Sequence, residues 1–365
     1  MKKSRIIAVL SAAACVMSCT SCSGNPFKAK EKVTLTIWNM EDNTFLQKMG
    51  DEFSEKYKND AEIKIVIEDK PENSMSEYIA ANPDSTADIF YFADDQFDQF
   101  YNNKYLLPAI NKSKISEDNG GIQNNVISCI YKGGEIYAYP LTAGNGYFLY
   151  YNAEYFSDKD VEKLDTILDI AAKNNKSFAM DWSSGWYTYS FFGGAGLKAE
   201  ASALGLYNFC NWNTTEEKYK GVDVAKAMIE IGKNKGFLNC VNDSFLTGAE
   251  NGTVIACVSG QWDAENLKNL WGDNLRASKL PTYTINGNQV QMSGFIGYKY
   301  AGVYSGTKYP EWASKFAEYL SDYEHQVERF SVTGECPSNL KAMDSVEVQK
   351  SVAVVALAEQ APFSV

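Results

Sequence analysis

ADIFYFADDQF, residues 87–97, runs from an apolar strand straight into an aromatic and two adjacent acids. Ile89 to Phe92 form a short apolar run bounded by polar residues, which reads as a strand. The run ends on Phe92, Ala93, Asp94, Asp95 and Gln96, with no Gly or Asn to turn the chain. The same order, apolar strand then aromatic then acid or amide, recurs in LTIWNMEDN (35–43), FAMDWSSGWY (178–187) and VIACVSGQWD (254–263).

Upstream, KVTLTIWN (32–39) alternates, with Val33, Leu35 and Ile37 on one face. NTFLQKMGDEFSEKYK (43–58) spaces Phe45, Met49, Phe53 and Tyr57 four apart, an amphipathic helix. AEIKIVIED (61–69) is a further strand, so the segment leading into 87–97 is a βαβ unit and predicts a parallel sheet.

Downstream, GGEIYAYPLTAGNGYFLYYN (133–152) reads as two extended runs around Thr142–Gly146. VEKLDTILDIAAKNN (161–175) is helical and KSFAM (176–180) extended. EEKYKGVDVAKAMIEIGKNKG (216–236) predicts a long helix with Val222, Ala225 and Ile229 inward and Gly236 as its C-cap. TVIACVSG (253–260) closes a second α/β unit. GFIGYKYAGVYS (294–305) is extended, and 310–330 predicts one helix opening on Pro310. A final helix is expected from about Val346, after the break at ECPSN (335–339).

At 365 residues the chain calls for two domains. Its formal net charge of −12 and the lack of a basic stripe exclude nucleic acid as a partner. The first residues stand apart from the fold. MKKSR is a positive region and IIAVLSAAACVM an apolar run too short to span a bilayer as a mature helix. Residues 1–22 read as a bacterial lipoprotein signal with the lipid-modified residue at Cys22, or alternatively Cys19, and 23–31 as a linker. An ordinary secretory signal with incidental cysteines is the plainer alternative. Cys129, Cys210, Cys240, Cys257 and Cys336 are odd in number and contain no C-x-x-C pair, so neither a disulfide framework nor a zinc site is indicated.

Enzyme signatures are sparse. His325 is the one histidine, read as a solvated residue on the 310–330 helix, which leaves His-dependent acid–base, triad and zinc chemistry without a basis. FFGGAGLKA (191–199) lacks phosphate-loop spacing and reads as a loop. Glycoside hydrolysis needs only two carboxylates, about 5–10 Å apart. A hydrolase using two of Asp42, Asp95, Asp181 and Asp263 therefore stays open.

In open α/β sheets ligands bind beyond the carboxyl ends of strands, and the four aromatic–polar strand ends belong two to each α/β unit. If the units face each other, all four meet across one cleft. Such a cleft suits a sugar: aromatic faces take its C–H surface, carboxylates accept from its hydroxyls, and Asn or Gln both donate and accept. Plainer readings compete. Trp38 reads as packing, and Phe92 fits either core or ligand contact. Asp95 fits either a helix cap or a ligand contact. Trp262, between Gln261 and Asp263, reads as functional, and Trp182, Trp186, Tyr187 and Tyr189 crowd into what reads as a loop, at least one of them facing ligand.

Together, TLTIWNMED (34–42), ADIFYFADDQF, GEIYAYPLTAGNGYFLYYN (134–152), VSGQWD (258–263) and GFIGYKYAGV (294–303) resemble the extracellular solute-binding proteins of ABC sugar importers, above all the maltose/maltodextrin-binding branch. The resemblance implies a two-lobed α/β fold of the type II periplasmic-binding-protein kind, each lobe a mixed sheet flanked by helices, with no cofactor and no metal. It implies lobe 1 from 32–141 plus 301–337 and lobe 2 from 142–300 plus 338–365, with crossings near 141–145, 295–301 and 337–341. By position Glu41, Asp42 and Asn43 would serve sugar hydroxyls and Phe92, Trp186 and Trp262 would stack. Asp95 with Gln96 would clamp hydroxyls, and Asn145 would sit by the hinge. Asp181, Trp182, Tyr187 and Asp263 complete the expected site. Gln96 and Asn145 replace a family Arg and Glu, which removes charge and puts the maltodextrin assignment, but not sugar binding, in question. VVALAEQAPFSV (354–365) stops short of the family's last elements, so a truncated C-terminus is expected.

The function expected is a lipid-anchored, monomeric sugar-binding subunit on the extracellular face of the cell membrane, as in Gram-positive-type lipoproteins, handing an oligosaccharide to an ABC permease. A same-fold polyamine binder is the other alternative, since acids and aromatics suit a polycation. An oxyanion is disfavoured because these strand ends offer no Lys or Arg.

Overall fold

The computed structural model describes residues 30–39, 43–70, 75–201, 207–241 and 244–365. Glu41, Asp42, Cys19 and Cys22 lie outside them. Two five-stranded mixed sheets, each flanked by helices, form two lobes.

The first sheet takes β1 (Glu31–Asn39), β2 (Ala61–Asp69), β3 (Ile89–Ala93), β4 (Tyr139–Ala143) and, from far along the chain, β10 (Tyr298–Val303). Its spatial order is β2-β1-β3-β10-β4. β1 runs parallel to β2 and β3, and β10 is antiparallel to β3 and β4. β3 is central and every residue of it is buried, which is why its sequence is an unbroken apolar run. α1 (Asn43–Lys56) seals β1 and β2 with Phe45, Met49 and Phe53.

The second sheet takes β5 (Tyr147–Asn152), β6 (Ser177–Met180), β7 (Phe237–Asn239), β8 (Val254–Gly260) and β9 (Leu275–Ser278). Its order is β7-β6-β8-β5-β9. Its helices are α2 (Leu164–Lys173), α3 (Gly185–Gly194) and α4 (Gly221–Lys233). α5 (Pro310–Ser321) and α6 (Tyr323–Thr333) return to the first lobe, and α7 (Val352–Gln360) packs on β9 and β5 of the second.

Several sequence expectations are corrected. α4 buries Val224, Ala227 and Ile231 and leaves Val222 and Ile229 exposed, because apolar residues on both faces allow either phase. Gly236 lies beyond α4, whose C-cap is Asn234, and is small for a different reason: a Cβ there would stand 2.1 Å from the Leu168 carbonyl oxygen. The 310–330 segment is two helices, broken where Asp322 caps α6 by accepting from the His325 backbone N–H at 3.1 Å. His325 is buried against the Tyr319 ring with Nδ1 2.6 Å from Asp322 Oδ1, not solvated. The 191–194 segment is the end of α3 and not a loop, and Trp186, Tyr187 and Tyr189 are helical too. The division expected at 141/142 falls inside β4, and the one expected at 300/301 inside β10.

Between the sheets three segments run side by side. The Gly144 and Asn145 N–H groups both donate to the Gly297 carbonyl at 2.8 Å. The Ala143 N–H donates to the Cys336 carbonyl at 2.8 Å, and Thr142 bridges Pro337. Gly144 takes φ +82, a left-handed conformation that a side chain disfavours. Among the described residues no helix is long and apolar enough to cross a membrane, and no group of three or more His, Cys, Asp or Glu could hold a metal ion.

Candidate functional site

The site is built where the two sheets approach each other. At one edge of the first sheet Ala93, the last residue of β3, pairs with Lys299, which also pairs with Thr142 of β4. The chain leaves β4 there and enters β5 at Tyr147, which pairs with Gly260, the last residue of β8. Only Gly144, Asn145 and Gly146 separate the sheets along this crossing, a span of roughly 10–14 Å even when extended. The ends of β3 and β8 therefore flank the same crossing.

On the first lobe β3 runs into a 3₁₀ turn, Asp94–Gln96. Asp95 is exposed yet hemmed in by protein, so desolvation raises its pKa. Asp94 is less exposed and is pushed up to about 6, chiefly by burial and then by the charge of Asp95. A hydrogen bond from the Tyr298 N–H to Asp94 Oδ1, 3.4 Å, opposes that rise. Neither acid caps a helix: the following short helix has Gln96 at its N-cap with no side-chain bond. Gln96 is half-buried beside them. Asn43 opens α1, where its Oδ1 accepts from Asn39 Nδ2 at 2.9 Å and its Nδ2 donates to Asp69 Oδ1 at 2.8 Å.

On the second lobe β8 ends at Gly260 and continues as a 3₁₀ turn, Gln261–Asp263. The half-buried Trp262 ring fills the space a Gly260 side chain would need, since a Cβ there would stand 2.1 Å from ring atom Cζ3. At the end of β6 Asp181 Oδ1 accepts from the Ser183 N–H (2.8 Å) and hydroxyl (2.6 Å). A cavity of about 380 Å³ opens there, lined by Met180, Asp181, Ser184, Tyr187, Cys240, Phe245 and Val258. α3 brings both Trp186 and Tyr189 onto Phe295, stacked at 4.4 and 4.8 Å between ring centres. Tyr147 anchors this group by donating its hydroxyl to the Trp186 carbonyl at 2.8 Å.

Two expected ligand contacts are corrected. Phe92 is fully buried among Phe90, Phe100 and Tyr300 and offers no face to a ligand. Asp263 is also buried, its Oδ2 accepting from the Ser259 hydroxyl at 2.5 Å. Trp182 is half-buried, with its ring against Phe237 at 4.3 Å and Phe191 at 5.5 Å between ring centres. Asp95 and Gln96 follow the end of β3 on the first lobe, Asn145 lies on the crossing, and Trp262 follows the end of β8 on the second lobe, where Asp181, Trp182, Trp186 and Tyr187 also lie.

Sequence reasoning missed Phe295 and Lys299. Lys299 puts a cation at the end of β3, against the expectation of none, and its Nζ lies 3.2 Å from the buried Glu335 Oε1. The only available signal was that GFIGYKY forms the strand beside β3. The half-buried aromatics and amides are suited to holding a ligand.

A family model described as bacterial extracellular solute-binding protein matches residues 48–356. The maltodextrin-binding protein MdxE of Bacillus subtilis (strain 168) is 25% identical over 384 aligned positions, covering 99% of this chain and 86% of that protein. Among solved structures, the maltodextrin-binding protein MalE1 of L. casei BL23 superposes with a TM-score of 0.73 at 22% identity, over 91% of this chain and 86% of that one. The GacH receptor of Streptomyces glaucescens, known unliganded and with acarbose, superposes with a TM-score of 0.75 at 15% identity, over 92% and 88%. The matched family is one of solute-binding proteins of transporters and not of enzymes, which removes the hydrolase alternative. With a family match across most of its length and the two-sheet architecture to go with it, the chain belongs to the bacterial extracellular solute-binding proteins.

Proposed function

We propose that the protein is the lipid-anchored, extracellular substrate-binding subunit of an ABC importer, taking a sugar or oligosaccharide of maltodextrin type between its lobes and delivering it to a membrane permease. The observation that carries this reading is the flanking of one crossing by two strand ends from different sheets, Asp95–Gln96 on one side and Trp262 on the other. A sugar held there would stack one face on Trp262 and give its hydroxyls to Asp95, Gln96 and Asn145. Glu41 and Asp42 precede the Asn43 that opens α1 and would join them from the first lobe, with Asp181, Trp186 and Tyr187 from the second.

Sugar that touches both lobes binds the closed form more tightly than the open one and shifts the population toward closure. The closed pair of lobes is then the form a permease would recognise. Anchoring through Cys22, or Cys19, would keep the protein at the membrane surface.

Calorimetric titration with maltose, maltotriose, maltotetraose and spermidine tests the reading. Saturable binding of the oligosaccharides without release of reducing ends is expected. Binding of spermidine alone would replace the sugar reading with the polyamine one, for which the Lys299 cation is an unfavourable neighbour.

A further inference from the structure

Gln261 stands between the last residue of β8 and Trp262, and its side chain reaches out of the second lobe to the crossing. It is 2% exposed. Its Oε1 accepts from the Cys336 N–H at 2.6 Å, and its Nε2 donates to the Ala143 carbonyl at 3.4 Å. Ala143 ends β4 of the first sheet, and its own N–H donates to the Cys336 carbonyl. One amide thus joins two crossing segments that are already bonded to each other. The Gln261 carbonyl meets the first lobe as well: a Cβ on Gly334, the left-handed C-cap of α6, would stand 3.3 Å from it.

These contacts bear on Trp262 because the two residues share the same 3₁₀ turn. The turn has no side-chain cap. Within the second lobe the turn is held by the Ser259–Asp263 bond, and toward the first lobe Gln261 supplies bonds to both crossing segments. Only an amide both donates and accepts at this reach. A carboxylate would face the Ala143 carbonyl oxygen, and an apolar side chain of the same length would leave the Cys336 N–H buried without a partner.

We propose that Gln261 is a positioning residue that couples the Trp262 platform to the interlobe crossing, so that sugar affinity depends on an amide that does not touch the sugar. The proposal rests on the reading of Trp262 as a sugar contact.

A double-mutant cycle separates positioning from simple stability. Dissociation constants for maltotriose and maltotetraose are measured by calorimetry, and melting temperatures recorded, for Gln261→Met in the wild-type and Trp262→Ala backgrounds. Gln360→Met is the control. Gln360 is a fully buried amide whose Oε1 accepts from the Leu280 N–H at 2.8 Å, with no bond to Trp262 or the crossing. Gln261→Met is expected to weaken binding about tenfold when Trp262 is present and less than about twofold when it is Ala. Gln360→Met is expected to lower the melting temperature with affinity held within about twofold.

Equal affinity of Gln261→Met and wild type, or an equal loss in both backgrounds, would overturn the coupling while leaving sugar binding intact. A Trp262→Ala variant that binds as wild type, or a wild type that binds neither sugar, would instead remove the site reading and the coupling with it. Should Gln261→Met fail to fold, Gln261→Glu is put through the same cycle, since it keeps the acceptor for the Cys336 N–H. A loss of any size confined to the Trp262 background supports the proposal, since the carboxylate keeps one bond and loses the other; no loss, or an equal loss in both backgrounds, overturns it.

Discussion

Asp94 and Asp95 are adjacent acids with a measurable signature. Burial raises the pKa of Asp94 from 3.8 to about 6, so the folded chain holds a proton that the unfolded chain has already released. The stabilisation this gives is complete below the unfolded value and is lost as pH rises through the folded one. Melting temperature should therefore carry a falling component between about pH 4 and 6. Asp94→Asn should remove that component, leaving the variant relatively more stable at pH 7–8. Parallel melting-temperature profiles for the two proteins from pH 4 to 8 would contradict the assignment. Trp262→Ala should cost about 1–3 kcal/mol of sugar affinity with little change in stability. Phe92→Ala should do the opposite, losing about 3–5 kcal/mol of stability from a packed core position. Paired calorimetry and denaturant melts distinguish these outcomes. The contrast shows where reading single residues fails. A strand buried on both faces has no polar alternation to say which way Phe92 points. Asp263 likewise looked available because the Ser259 hydroxyl that satisfies it gives no sign in the sequence.

Local elements were largely legible, because β1, α1, β2 and β3 follow periodicities that need no distant partner. Where reading failed, two patterns competed. α4 has apolar residues at both Val222/Ile229 and Val224/Ile231, and only packing selects the second set. α3 is rich in aromatic and Gly residues that resemble a loop, yet its glycines permit close packing: a Cβ on Gly194 would stand 2.3 Å from the Gln291 carbonyl oxygen. The turn after β8 gives a direct test at this scale. Gly260→Ala inserts a methyl where the Trp262 ring lies, so it should displace the ring and weaken sugar binding about as much as Trp262→Ala does. Near-ultraviolet circular dichroism should change with it, while the far-ultraviolet spectrum stays close to wild type. Asp322→Ala tests the break between α5 and α6. Losing the cap on the His325 N–H should cost about 1 kcal/mol, read from denaturant melts.

At the scale of the molecule, the two lobes followed from two α/β units, while the crossing did not follow from either unit alone. Gln261, Phe295 and Lys299 matter through partners far away in sequence, and no local pattern marks them. Sugar-driven closure should appear as a fall in the radius of gyration by small-angle scattering on adding maltotriose, with an unchanged value counting against interlobe binding. The placement of β10 has a further consequence, for the order of assembly. The central strand β3 waits for Tyr298–Val303, which follow all five strands of the second sheet, so a partly synthesised first lobe is left with an open sheet edge at Ile89–Ala93. Contacts of such long sequence separation make for slow folding. Stopped-flow refolding should show the second lobe's aromatic cluster regaining its signal before the first lobe becomes protected from hydrogen exchange, and the nascent first lobe stays pliable until residues 298–303 have been made.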